Sequence, residues 1–268
     1  PPYENAGIVD SKGIEVGLDY SKKLGQVEFN VGGNFSLNKN EIKEMLEEPR
    51  QYANLVQTGN PYEQLYGLEA IGFFKDEADI AASPTQNFST VKPGDIKYRD
   101  VNGDNIIDAN DKVAIGYSTT CPEIYYSLHL GAEWKGIGFY AMFQGTGNYS
   151  AVLDTKSMYW PLINNTNISQ YAYDNRWTPQ NQNAKFPRLS SQSNANNYQT
   201  STLWLADRSF LKLRNLEVYY KLPASWLKKT KIVNAAKLYV RGIDLFSFDH
   251  IDENDPEAYG INPMTKSV

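Results

Sequence analysis

EIYYSLHLGAEWKGIGFYAMFQ, residues 123–144, decides how this chain is read. Ile124, Tyr126, Leu128, Leu130, Ala132 and Trp134 alternate with Glu123, Tyr125, Ser127, His129 and Glu133. After Lys135-Gly136, Ile137, Phe139, Ala141 and Phe143 alternate with Gly138, Tyr140, Met142 and Gln144. Side chains of a strand alternate faces, so period two predicts two strands, each with one apolar face. A two-residue link ending in glycine makes them an antiparallel hairpin.

The same pattern recurs on both sides. Ile14, Val16, Leu18 and Tyr20 alternate with Gly13, Glu15, Gly17 and Asp19. A turn at Lys22-Lys23-Leu24-Gly25 leads to Val27, Phe29, Val31, Phe35 and Leu37, set among Gln26, Glu28, Asn30, Asn34 and Ser36. A third pair is expected near 207–221 and 236–248. The apolar parity of both these strands shifts midway, which predicts a bulge or a change of environment.

Connections at 22–25, 135–136 and 222–235 are short, whereas 43–122, 146–206 and the segment from 249 onward are long. Short and long links therefore segregate to opposite ends. Soluble sandwiches seldom carry loops beyond about 15 residues, whereas outer-membrane barrels combine short periplasmic turns with long outer loops. The fold class expected is all-β, part of a transmembrane antiparallel up-and-down β-barrel, with 43–122, 146–206 and 249–262 as extracellular loops. Six strands leave two bare edges, so further strands are expected upstream and at least one downstream.

Composition narrows the function. Lys and Arg number 26 against 31 Asp and Glu, a net charge of −5, without a basic patch or a long run of like charge, so a nucleic-acid partner is not expected. Aromatics are plentiful, with 19 Tyr, 11 Phe and 5 Trp, which suits β-structure. No apolar run approaches the roughly 18 residues of a spanning helix, but a barrel strand needs only about ten alternating residues. Cys121 is the only cysteine, which forbids an internal disulfide. The start Pro1-Pro2-Tyr3-Glu4-Asn5 has neither an initiator Met nor a signal peptide's apolar run, and the chain is read as a fragment.

One site has sharp spacing. Asp100, Asn102, Asp104, Asp108 and Asp111 occupy positions 1, 3, 5, 9 and 12 of a twelve-residue loop, and Ile106 would offer its backbone carbonyl at position 7. This is the pattern of an EF-hand-type calcium loop, since a hard dication needs six to eight oxygens. Asn105 replaces the usual Gly at position 6, and Asp111 replaces Glu at position 12, with shorter reach. Structural calcium is therefore the expected cofactor. A metal-free Asn-Gly-Asp turn is the alternative.

The 146–206 segment is dense in Asn, Gln, Ser and Tyr, and Tyr149, Tyr159, Trp160 and Trp177 are its candidate ligand-stacking residues. The same aromatics could instead pack the loop against itself. No catalytic constellation stands out, and no enzyme is expected. His129 and His250 lack partners at metal-ligand spacing, Gly145-Thr146-Gly147 is only a loop signal, and Asp252, Glu253, Asp255 and Glu257 read as a solvated cluster.

Several segments belong together: Asn5-Ala6-Gly7 leading to Lys12-Gly13-Ile14-Glu15, Pro93 to Asp100 running into the calcium-type loop and Ile115-Gly116, and Arg176-Trp177-Thr178-Pro179 with Phe186-Pro187-Arg188-Leu189. Asp207 to Leu216 before Leu222-Pro223, Tyr239 to Phe246, and Asp255-Pro256-Glu257 continue the series. In this order they resemble the C-terminal part of SusC/RagA-type TonB-dependent outer-membrane transporters. The resemblance implies uptake of oligosaccharides, or for some relatives peptides, across a Gram-negative outer membrane. It also implies a SusD-like surface lipoprotein as lid, energy supplied through TonB, and lipid around the barrel. By the same resemblance the plug domain and TonB-contact segment lie upstream, and the final strand lies beyond Met264-Thr265-Lys266-Ser267-Val268. The competing expectation is a secreted, calcium-stabilised β-sandwich that binds glycans, and a glycan-cleaving enzyme is a third.

Overall fold

The computed structural model describes residues 7–156, 158–162, 166–192, 194–227, 232–252 and 254–258. The expectations placed on Asn5, Ala6, Glu253 and Met264–Val268 lie outside the described residues. The chain forms two compact units. One comprises Lys12–Lys39, Cys121–Tyr149 and the chain from Arg208 onward; the other comprises Asn40–Thr120 and Ser150–Asp207 with the N-terminal residues through Ser11.

The first unit carries the expected antiparallel sheet. The sheet's strands are β1 (Ile8–Leu24) and β2 (Val27–Glu44), which belong to this unit from Lys12 to Lys39, then β3 (Ile124–Trp134), β4 (Ile137–Gly147), β5 (Phe210–Lys221), β6 (Lys237–Ile243) and β7 (Ser247–Asp249). Strands β1 to β6 pair in sequence order, and β7 pairs with β5 beside β6, so the sheet is an open meander. The register aligns Val27 with Trp134, Trp134 with Ile137, Ile137 with Tyr220 and Tyr220 with Leu238, which puts the short connections at one end. Lys135 and Gly136 have φ of 50° and 86°, the paired positive angles of a tight hairpin turn. The turn expected at Lys22–Gly25 lies further on, because the chain remains extended through Leu24 and reverses at Gly25 with φ of 61°.

Directly paired residues share a face, so the register sorts side chains into rows. Phe29, Ala132, Phe139, Val218 and Val240 form an apolar row, and Val31, Leu130, Ala141 and Leu216 form the next. Phe29, Val31, Phe139, Val218 and Val240 are all exposed. The alternate rows are polar: Asn30, Gly131, Tyr140, Glu217 and Arg241, then Asn34, Ser127, Gln144, Lys212 and Ser247. An exposed apolar face backed by a polar face is what a barrel wall between lipid and an aqueous lumen requires. Among the described residues no helix is long and apolar enough to cross a membrane.

The parity shift in the fifth strand is a bulge. Met142 pairs with Asn215 and Phe143 with Leu213, which leaves Arg214 as the extra residue. The sixth expected strand is broken between Ile243 and Ser247, and Asp244 there has φ of 51°. Asp207, expected at the start of the fifth strand, instead pairs with Ser150, at the end of a short ladder between 205–207 and Ser150–Val152 in the second unit.

That second unit is built from the two long connections, and they are folded. Ala70–Phe73 pairs with Ile96–Tyr98, Tyr66–Gly67 with Val113–Ala114, and Thr85–Gln86 runs parallel to Ile106–Ile107. Two short helices, Glu77–Ala81 and Gln170–Asp174, begin at Asp76 and Ser169, whose side chains accept from the amides of Asp79 and Ala172. Leu68, Ile96, Tyr98, Ile107, Met158, Tyr159, Phe186 and Trp204 form its core, drawn from both connections.

Candidate functional site

The second unit is organised around a buried carboxylate. The turn Lys92–Asp95 places Gly94 at φ of 87° and turns the Asp95 side chain fully inside. Asp95 Oδ1 accepts from Asn194 Nδ2 at 2.9 Å and from Asn197 Nδ2 at 2.8 Å, and Oδ2 accepts from the Lys92 amide at 2.7 Å. Arg188 presents two nitrogens to the same carboxylate, Nε at 2.8 Å from Oδ1 and Nη2 at 3.1 Å from Oδ2. Only Nη2 makes a hydrogen bond, and Nε is a charge contact beside it; a buried carboxylate is tolerated when a cation and amide donors meet it in this way.

The segments after Pro93 and around Trp177 meet at this point. Trp177 packs against Gly94 so closely that a Cβ there would lie 2.3 Å from Trp177 Cε3, and the Arg188 amide donates to the Gly94 carbonyl at 2.9 Å. Gln86 and Asn196 complete the polar interior: Gln86 Nε2 donates to Asn196 Oδ1 at 2.6 Å, and the Tyr98 amide donates to Gln86 Oε1 at 2.8 Å. Burial pushes the Tyr98 phenol well above its ordinary range. Tyr198 is pushed up to about 12, first by burial and then by the charge of Asp95, with Arg188 acting against both.

The candidate stacking residues are part of this packing. Tyr159, Trp177 and Tyr149 are buried, and Trp160 is half-buried. Trp160 lies 5.0 Å from Tyr198 and 5.9 Å from Trp204 between ring centroids, and Tyr159 lies 6.3 Å from both Tyr171 and Phe186. In the sheet unit, Tyr149 lies under the Arg208 guanidinium at 4.7 Å. Of the two readings of these aromatics, Tyr159, Trp160 and Trp177 are placed in the packing of the second unit itself, where their rings lie against its own residues.

In the 100–111 loop the backbone adopts the turns that a calcium loop uses. Asn105 takes φ of 62°, the left-handed value required at position 6, and Gly103 takes 77°. The carboxylates accept backbone amides. Asp100 accepts from Gly103 and Asn105, Asp104 accepts from Ile106 and from Asn102 Nδ2, and Asp108 accepts from Asn110. Asn102 Oδ1 accepts from the Asp104 amide. Asp111 is fully buried and accepts from Val101 at 2.8 Å and Asp108 at 2.9 Å. Among the described residues no three acidic, His or Cys side chains gather as metal ligands.

On the polar face of the sheet, charges neutralise one another across strands. Glu133 accepts from Tyr219 at 2.8 Å and Lys221 at 2.6 Å, and Glu217 accepts from Arg241 Nε at 2.9 Å and from Lys237. His129 Nε2 lies 3.2 Å from Asp19 Oδ1 on the neighbouring polar row. Sequence reasoning missed the Asp95 hub. Its only sequence signal was the Pro93-Gly94-Asp95 turn, and its partners lie about a hundred positions away.

Fold and geometry define a class: a stretch of up-and-down barrel wall whose long connections fold into a body of their own. The chain is similar to TonB-dependent receptors along nearly all its length. It is 26% identical over 268 residues to "TonB-dependent receptor P26" of Formosa agariphila, covering 95% of this chain and 26% of that protein. "TonB-dependent receptor P3" of the same organism is 23% identical over 269 residues, covering 95% of this chain and 26% of that protein. Among solved structures, that of the RagAB peptide transporter superposes with a TM-score of 0.70 at 22% identity, over 96% of this chain and 27% of the other. The chain thus spans about a quarter of the length of the relatives it matches. No protein-family model matches it.

Proposed function

We propose that the parent protein is a TonB-dependent importer in the outer membrane of a Gram-negative bacterium. This chain would contribute the C-terminal part of its barrel wall and two of its outer loops. The observation that carries the reading is the row pattern of the sheet, with exposed apolar rows alternating with charged and amide rows that would line a lumen. The likeness to TonB-dependent receptors supports it. A secreted β-sandwich needs a second sheet over the apolar face, and among the described residues the sheet unit holds none.

The cargo proposed is an oligosaccharide, captured beneath a SusD-like surface lipoprotein and moved with energy supplied by TonB through an upstream segment. A peptide cargo is the second reading, favoured by the likeness to a peptide transporter. No enzymatic role is proposed. Calcium in the 100–111 loop is also proposed, supported by the ligand spacing and by the left-handed Asn105. The first test is fractionation of cells that make the parent protein. Recovery only from detergent-extracted outer membrane supports the importer, and recovery as a soluble secreted protein overturns it. Growth of a disrupted strain on polysaccharide against peptide then separates the two cargoes.

A further inference from the structure

Residues 254–258, beyond β7, do not leave the sheet as a free loop. Asp255, Pro256 and Glu257, part of the cluster that reads as solvated in the sequence, fold back onto the polar face of β5. Lys212 is almost completely buried, and its Nζ donates to Asp255 Oδ1 at 2.6 Å and Glu257 Oε2 at 2.7 Å. Arg214 donates to Glu257 Oε1, to Asp244 Oδ1 at 2.9 Å and to Gln144 Oε1 at 3.0 Å. Arg208 Nε donates to the Pro256 carbonyl at 2.5 Å, and Nη2 donates to that of Ala258 at 3.2 Å. Ile251, just after β7, and Pro256 within the segment are buried.

Two features give this arrangement its meaning. Lys212 and Arg214 stand two residues apart and both reach the same polar row, Lys212 being paired with Gln144 and Arg214 Nε donating to Gln144 Oε1. In addition, a lysine buried as deeply as Lys212 is costly unless carboxylates meet it, and both of its carboxylates come from the returning segment. The wall and the segment therefore require each other.

We propose that residues 254–258 are a latch strapped across the polar face of the barrel wall, held shut by Arg208, Lys212 and Arg214. Strand β7 pairs with β5 through Phe210–Lys212, the end opposite the short turns, so the strap covers the end reached by the long connections. On the importer reading, on which this part of the inference rests, the polar face lines the route of the cargo and the strap narrows it. Opening the latch requires separating the Asp255 and Glu257 carboxylates from the wall cations.

The test is hydrogen exchange read by mass spectrometry on the purified, detergent-solubilised parent protein. In the wild type, amides of 254–258 should be protected well beyond free-peptide rates; free-peptide exchange there overturns the proposal. The Asp255→Asn, Glu257→Gln double variant should exchange at least tenfold faster over 254–258, with 124–147 unchanged. Equal protection in the variant overturns the proposal. As a second variant, the charge swap Arg214→Glu with Glu257→Arg should regain more protection than Arg214→Glu alone, and failure to regain any counts against a latch. Exchange does not depend on import, so failure of the latch and failure of the importer reading are separable.

Discussion

Replacing Asp95 with alanine removes the centre of the loop unit, and the structure sets the scale of the loss. The carboxylate is fully buried, and Arg188, its partner, has only 21% of its side chain exposed. Removing one member of a buried ion pair costs about 3–5 kcal/mol, because the other charge is left uncompensated. Asn194 and Asn197, both buried, each lose an acceptor, at ~1–3 kcal/mol per unsatisfied group. The Lys92 amide is at an exposed position and finds water. The sum is at least ~5 kcal/mol, comparable to the whole stability of many domains at roughly 5–15 kcal/mol. At ~2–4 °C per kcal/mol for a unit of this size, the melting temperature of the loop unit should fall by about 10 °C or more.

Tryptophan fluorescence on the detergent-solubilised parent protein reads this directly, since Trp160, Trp177 and Trp204 lie in the loop unit. A protease should also cut within 150–207 at lower concentration. Asp95→Leu combined with Arg188→Met, which removes both charges, should recover part of the loss, because the penalty comes from the stranded partner. A shift below about 3 °C for Asp95→Ala would refute the hub as a stabilising centre.

Four further outcomes are expected. Gly94→Val should destabilise the loop unit by more than ~1 kcal/mol from the left-handed backbone alone, with the clash against Trp177 added, and thermal scanning measures it. Val240→Arg, on an exposed apolar row, should lower barrel insertion by about 2–4 kcal/mol if it lies at the membrane midplane, read as the heat-modifiable band on a gel. Calcium should raise the melting temperature of the loop unit and a chelator should reverse this, with Asp104→Ala abolishing the response; no response at millimolar calcium removes calcium from the account. Burial pushes the Glu257 carboxyl up, but Arg214 and Lys212 hold it below the usual carboxylate range. Because the folded value is the lower one, its contribution is complete above ordinary carboxylate pKa values and is lost as pH falls through the folded value. Hydrogen exchange over 254–258, divided by the intrinsic exchange rate at each pH, should then stay slow at neutral pH and rise as pH falls below the ordinary carboxylate range.

The strands were legible because a half-buried strand writes its faces into the sequence with period two, and this pattern survives wherever one face meets an apolar phase. Even the Arg214 bulge showed as a slip of parity between Leu213 and Leu216. The loop unit was not legible in the same way. Its strands run to only two to four residues, too short for any period, and its core joins Ile96 and Tyr98 to Phe186 and Trp204 from another connection. Tyr159 and Trp177 show the limit: an aromatic among amides reads alike whether it stacks on a ligand or on Phe186.

By itself the sequence determined the sheet, its meander order, the segregation of short and long links, and the ligand spacing at 100–111. These are local or nearest-neighbour properties, set by alternation and turn chemistry. Only the tertiary structure decided that two distant connections share one core around Asp95, and that the acidic cluster near the end clasps Lys212 and Arg214. Buried charge must be met by a partner whatever its distance along the chain, and that partner is chosen by packing in three dimensions.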